Sequence, residues 1–323
     1  MKTPTEYLGW LGIVRLGLVQ TSLGAIVVMT TSTLNRVMVV ELALPALLPG
    51  MLVAMHYFVQ LSRPRFGYGS DTGGRRTPWI IGGMATLALG GVLAAVATAT
   101  MSVSTLAGTA LAILAFLLIG AGVGASGTCL LVLLAASVDA KRRAAAASIT
   151  WIMMIAGFAV TAGLVGAFLD PFSFARLVVI SAIVAVAALS ITTLALRNLE
   201  SRLNIRQPLE AVAVDADQRQ TFREALAEVV GEQHTRRFAL FVFISMLAYS
   251  AQDLVLEPFA GAVFGLTPGQ STQLGGTQHA GVLIGMLLVA VVGYRLANKR
   301  HGVLRNCMIG GWGLTAISSN KIV

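Results

Sequence analysis

Two carboxylates four residues apart inside an apolar run, Asp253 and Glu257, are the side chains of this 323-residue chain best placed to do chemistry. At that spacing they share one helix face. An ionisable group inside a membrane is costly enough that each one points to function. Gln252 precedes the pair and Pro258 follows it. The first apolar run repeats the layout, with Asn35-Arg36 toward its end and Glu41 just beyond. Both places hold an amide beside a charge, then a glutamate four or five residues later. Their charges are opposite, Arg36 against Asp253, which suits gating or cleft charges that pair across a central cleft between two halves. The alternative is a set of independent interfacial residues touching water or headgroups.

His56 and Gln60 form a second pair four residues apart. His56 lies about 11 residues into its run, about 16 Å deep at the rise of a helix. A neutral imidazole there can ligate the magnesium of a chlorophyll-type ring, or it can be a hydrogen-bonded core histidine. His234, His279 and His301 form no cluster with it, and no Ser/His/Asp set or metal spacing stands out, so no catalysis is expected. The two cysteines, Cys129 and Cys307, sit far apart in apolar runs and read as small core residues. Gly122-Val123-Gly124-Ala125-Ser126-Gly127 has the spacing of a dinucleotide loop, but it lies mid-run with no strand before it. Gly120 and Gly124 with Ala121 and Ala125 instead give small faces for close helix packing.

The elements that must position these residues are set by composition. The chain is 56% hydrophobic and 11% charged, with a mean hydropathy of +0.80. Soluble domains carry about 25% charged residues, so an all-α membrane protein is expected and the +9 net charge does not signal nucleic acid. Apolar runs long enough to span cover 11–35, 45–61, 79–99, 106–137, 144–168, 174–196, 237–264 and 277–297, eight spans, with a partial ninth from Val303. The start lacks the basic end, short apolar core and cleavage site of a removed signal, so the first run is read as the first helix. Arg63, Arg65, Arg75 and Arg76, then Lys141, Arg142 and Arg143, then seven arginines from Arg197 to Arg237, then Arg295, Lys299, Arg300 and Arg305 all fall on one side. Arg36 and Arg176 alone fall on the other, which places the N-terminus on the cytoplasmic side of an inner membrane. Residues 1–196 read as a six-helix half, 197–236 as a cytoplasmic linker with an amphipathic helix over 221–231, and 237–323 as an incomplete second half. Two such halves are a transporter's plan.

The segment Gly67-Tyr68-Gly69-Ser70-Asp71-Thr72-Gly73-Gly74-Arg75-Arg76 resembles the signature of the major facilitator superfamily, Gly-x-x-x-Asp-(Arg/Lys)-x-Gly-Arg-(Arg/Lys), between the second and third spans. Thr72 replaces a basic residue; Gly67, Asp71, Gly74, Arg75 and Arg76 agree. Glycines allow a tight loop there, and Asp71 can face a helix N-terminus. Three longer stretches, TSTLNRVMVVELALPALLPG (31–50), RPRFGYGSDTGGRRTPWIIGG (63–83) and AQDLVLEPFAGAVFGLTPGQST (251–272), are similar to one branch of that superfamily, the PucC/LhaA or bacteriochlorophyll delivery family. That resemblance implies a twelve-helix bundle, from which this chain departs by lacking the last third. It implies a non-enzymatic role in assembling light-harvesting antenna complexes in an intracytoplasmic membrane. It also implies bacteriochlorophyll as a non-covalent ligand, with antenna polypeptides and the pigment-synthesis machinery as partners. A proton-coupled transporter using Asp253 or Glu257, and a pigment-free scaffold for antenna helices, are the competing readings.

Overall fold

A computed structural model describes residues 7–72, 75–202 and 231–296, and all regular structure among them is helical. In chain order the elements are α1 (Trp10–Glu41), α2 (Leu47–Val59), α3 (Arg63–Thr72), α4 (Thr77–Met101), α5 (Thr105–Ser137), α6 (Arg143–Leu169), α7 (Phe174–Leu196), the short α8 (Leu199–Arg202), α9 (Gln233–Phe264) and α10 (Pro268–Leu296). Helices are the expected solution, because inside lipid every backbone N–H and C=O must be paired within its own segment. Their ends follow local chemistry. The Ser173 hydroxyl accepts from the Arg176 N–H at 3.1 Å and opens α7. Pro78 opens α4. Gly265, at φ +64°, closes α9 in the left-handed conformation that glycine tolerates.

Five helical segments are long and apolar enough to cross a bilayer: Trp10–Glu41, Thr77–Met101, Thr105–Ser137, Ala140–Leu169 and Phe174–Leu196. These are five of the eight spans expected. The other three runs, at 45–61, 237–264 and 277–297, are helical as α2, α9 and α10. However, α2 is 13 residues long before it tightens into a 3-10 turn, and α9 and α10 carry polar stretches that lower their apolarity. The partial ninth run and most of the predicted 221–231 helix lie outside the described residues.

The tightest pair is α4 against α5. A Cβ on Gly122 would stand 2.5 Å from the Leu87 backbone nitrogen, and one on Gly120 would stand 2.6 Å from the His56 carbonyl oxygen. Gly122 of the apparent dinucleotide loop, and Gly120 one turn before the loop's second glycine, are therefore points where backbones touch, while Gly124 lies against the Phe66 ring and Gly127 against Leu23. Around them Met84, Leu87, Phe116, Ile119, Leu130 and Leu133 are fully buried. α1 packs on α6 and α7, and α10 lies along α6. Asp170 at the end of α6 ties that last contact, accepting from the Thr267 hydroxyl at 2.6 Å and from the Gly269 N–H at 3.2 Å, which holds the start of α10. Large apolar side chains such as Leu11, Met51, Phe58, Leu106 and Phe168 stand exposed around the bundle, as lipid-facing surface requires.

Candidate functional site

The site begins with an irregularity in α1. Over Met29–Thr33 and again over Val37–Glu41 the helix widens to π geometry, an insertion that recurs at functional sites. The sequence of the first widened turn, Thr30-Thr31-Ser32-Thr33, supplies hydroxyls that bond back to the preceding turn. Thr30 Oγ1 donates to the Val27 carbonyl at 2.9 Å, and Thr31 Oγ1 reaches the same oxygen at 2.9 Å. Such back-bonding competes with the regular ladder and bends helices.

The widened helix presents Asn35 and Arg36 to α9. Pro258 has no N–H, so the Leu254 carbonyl four residues earlier loses its helical partner. The Asn35 amide nitrogen donates to that oxygen at 2.6 Å. Arg36, 1% exposed, sends Nη1 to Glu41 Oε1 at 2.5 Å and Nη2 to the Leu266 carbonyl, just beyond α9, at 2.7 Å. α9 admits the guanidinium by offering Gly261, where a Cβ would come within 3.0 Å of Nη2. The anticipated partner Asp253 is elsewhere: its Oδ1 lies 3.6 Å from His279 Nε2. The reason is geometric. Asn35 occupies the position opposite Leu254, and Arg36 extends toward the C-terminal end of α9 while Asp253 faces α10.

Asp253 and Glu257 do share a face, and α10 meets both. Glu257 is 1% exposed. Its Oε2 lies 3.3 Å from the Thr272 hydroxyl, which is 3.4 Å from Thr33 Oγ1 on α1. Gly275 leaves room for the other oxygen, since a Cβ there would stand 2.7 Å from Oε1. Among the described residues Glu257 Oε1, Arg36 Nε and His279 Nδ1 are buried without a hydrogen-bond partner. The His279 ring lies tilted against Phe158 of α6, at 5.1 Å between ring centroids and 55° between planes. The result is a closed polar seam where α1, α9 and α10 meet. Gln252 is exposed and takes no part in it. His279, Thr272 and Thr33 do not stand out in the sequence. A helix start at 277 puts His279 at an end, whereas α10 begins at Pro268 and His279 lies about three turns inside it.

His56 is held in a different network. Its Nδ1 is 3.2 Å from the Val53 carbonyl and its Nε2 is 2.9 Å from the Gln60 amide nitrogen, while Gln60 Oε1 accepts from Arg63. A guanidinium only donates, so the Gln60 oxygen faces Arg63 and its NH2 faces His56. Nε2 is then an acceptor and the ring proton sits on Nδ1, toward Val53. The lone pair a magnesium would use is engaged. Beside this network, α2, α3 and α5 border an open, mostly apolar groove of about 970 Å³ lined by Met55, Phe58, Val59, Leu61 and Leu117, with Arg65 also in the lining.

The signature segment is helical over Arg63–Thr72 rather than a loop. Gly74 and the side chain of Asp71 lie outside the described residues. A Cβ on Gly67 would meet Thr128 of α5 at 3.7 Å. Arg75 is exposed and Arg76 buried. The carboxylate at the N-terminus of α4 is Glu200, whose oxygens accept from the Arg76 and Thr77 backbone N–H groups at 2.7 and 2.9 Å. Nothing local in the sequence points to Glu200, which lies 124 residues from Arg76.

Comparison with known proteins gives the setting. Residues 33–322 match the family described as PUCC protein. The chain is 52% identical over 312 residues to the bacteriochlorophyll synthase 44.5 kDa chain of Rhodobacter capsulatus, an alignment covering 96% of this chain and 71% of that one. It is 30% identical over 317 residues to an uncharacterized protein of the puhA-bchM intergenic region of Rhodobacter capsulatus, covering 94% of this chain and 65% of the relative. It is 29% identical over 287 residues to protein PucC of Rhodovulum sulfidophilum, covering 84% and 62%. The chain thus spans about seven tenths of the first relative and under two thirds of the other two.

Proposed function

Because the chain belongs to the PUCC family, we propose that it serves the assembly of light-harvesting antenna complexes in the membrane and handles bacteriochlorophyll as cargo. The observation that carries this reading is the 52% identity, along nearly the whole chain, to a protein whose name contains that pigment. The groove of about 970 Å³ between α2, α3 and α5 supports it physically. The groove is lined mostly by apolar side chains, among them the exposed ring of Phe58, and suits a flat apolar macrocycle entering from lipid. His56 becomes an axial ligand in this scheme only when the Gln60 amide turns away. The partners of the reading are antenna polypeptides and the machinery that makes the pigment.

The role is non-catalytic. Support comes from the seam, whose Asn35, Arg36, Asp253 and Glu257 are packed against protein groups. The wider architecture is that of the major facilitator superfamily: α2, α9 and α10 count as spans beside the five, the apolar run from Val303 is a partial ninth in the sequence, and the N-terminus faces the cytoplasm. The linker 197–236 joins the two halves.

The test is the absorption spectrum of the chain purified in mild detergent from a bacteriochlorophyll-producing host. Wild type should carry pigment, Leu117→Trp should fill the groove and lose it, and His56→Leu should carry less and also melt lower without pigment, because it strips the buried Gln60 amide of its partner. Wild-type pigment content in Leu117→Trp, or none in wild type, overturns the reading. A second reading, proton-coupled transport, rests on the orphaned Glu257 Oε1. Solute flux that follows an imposed pH gradient and is abolished in Glu257→Gln would replace the first.

A further inference from the structure

A second cavity, of about 450 Å³, opens where α4 begins and α7 ends. Its lining includes the apolar Ile81, Leu194 and Leu196 and the basic Arg75 and Arg197. Both arginines are exposed, and among the described residues neither guanidinium has an acidic partner. The Thr77 hydroxyl, also lining the cavity, is buried with no hydrogen-bond partner among them.

The surroundings keep the site cationic. Glu200 is the acidic group in the wall, and both its oxygens are engaged by the backbone N–H groups that open α4. Arg15 of α1, outside the lining, holds the end of α7 with Nε on the Ala195 carbonyl at 2.8 Å and Nη2 on the Arg197 carbonyl at 2.6 Å. Two arginines therefore line the cavity against one carboxylate. Apolar side chains beside a pair of arginines at a helix boundary offer the chemistry that suits a lipid anion, since basic pockets between membrane helices bind anionic headgroups and guanidinium groups clasp phosphate by paired hydrogen bonds.

We propose that this cavity binds an anionic phospholipid, with its phosphate on Arg75, Arg197 and the Thr77 hydroxyl and its acyl chains along Ile81 and Leu194. The apolar lining favours a lipid over a free phosphate ion, whose contacts would end at the polar groups. The bound lipid would tie α4 to α7 at the basic end of the bundle.

The experiment is native mass spectrometry of the full chain, purified in detergent and exchanged into phosphatidylglycerol or phosphatidylcholine. Wild type should retain one phosphatidylglycerol and no phosphatidylcholine. Arg75→Gln with Arg197→Gln should weaken retention by about a hundredfold, at about tenfold for each charged hydrogen bond lost, and the paired lysine variants should recover part of it. Leu194→Trp, at a side chain 65% exposed to the outside, keeps every charge and blocks the acyl path. It should lose the lipid without losing folded protein. Equal retention of the two lipids, unchanged retention in the arginine variant or in Leu194→Trp, or displacement of the lipid by millimolar inorganic phosphate would each overturn the assignment.

Discussion

Replacing Asn35 by Leu removes the donor that satisfies the Leu254 carbonyl across the α1–α9 interface, where the contact is 2.6 Å long. That carbonyl is orphaned in its own helix because residue 258 is proline. The loss should cost about 1–2 kcal/mol, between the mean for interhelical hydrogen bonds in membranes and the penalty for a stranded buried polar group. For a chain of this size that lowers the melting temperature by about 2–4 °C per kcal/mol. In a Pro258→Ala background the ladder is restored, since an alanine at that position supplies the N–H that the Leu254 carbonyl lacks. There the Asn35→Leu substitution should cost less than about 0.5 kcal/mol. The four proteins form a double-mutant cycle with an expected coupling of about 1 kcal/mol or more, read from melting in one detergent at one protein concentration. An equal cost of Asn35→Leu with and without Pro258 would refute the claim that proline creates the acceptor which asparagine answers.

Four further outcomes are expected. Gly122→Ala places a methyl 2.5 Å from the Leu87 nitrogen and should destabilise the α4–α5 pair by about 1–3 kcal/mol. Gly163→Ala, with nothing within 4 Å, should change melting by less than about 0.5 kcal/mol. Glu200→Ala uncaps α4 and should cost about 1–2 kcal/mol in the same melting assay, with Glu200→Gln costing less because its amide oxygen still accepts. Reporter fusions at Gly69, Lys141 and Asp217 should read as cytoplasmic, and fusions at Ser102 and Pro268 as external; an external Asp217 would contradict the orientation drawn from the arginines.

The long apolar runs revealed the helices because lipid leaves the backbone no other way to pair its polar groups. The residues of the polar seam were also visible individually, since Asn35, Arg36, Asp253 and Glu257 are expensive where they stand. Their partners were not. Arg36 meets Glu41 and the Leu266 carbonyl because two π turns alter the face that α1 presents, and no composition rule announces a π turn. His279 was hidden because Thr267-Pro268-Gly269-Gln270-Ser271-Thr272 reads as a loop. Its small residues in fact let α10 approach α6, where a Cβ on Gly166 would stand 2.6 Å from the Gly269 carbonyl. The signature segment was recognisable as a pattern, yet the carboxylate that caps α4 comes from a residue more than a hundred positions away, a pairing that depends wholly on how α7 and α8 return to α4.

The two π turns of α1 also make that helix adjustable in length. Each holds one residue more than a regular helix needs over the same rise, so a single deletion between Val28 and Leu34 can be absorbed by a return to ordinary geometry, with no backbone hydrogen bond left broken. Everything after the deletion would keep its present face, so Arg36 would stay on the glycine that receives it and Asn35 on the proline-freed carbonyl. A deletion in a regular stretch of the same helix would instead turn all that follows by about 100° and break the seam. The widened turns are thus the places where this helix can lose a residue and keep both its membrane insertion and the pairing of its polar groups.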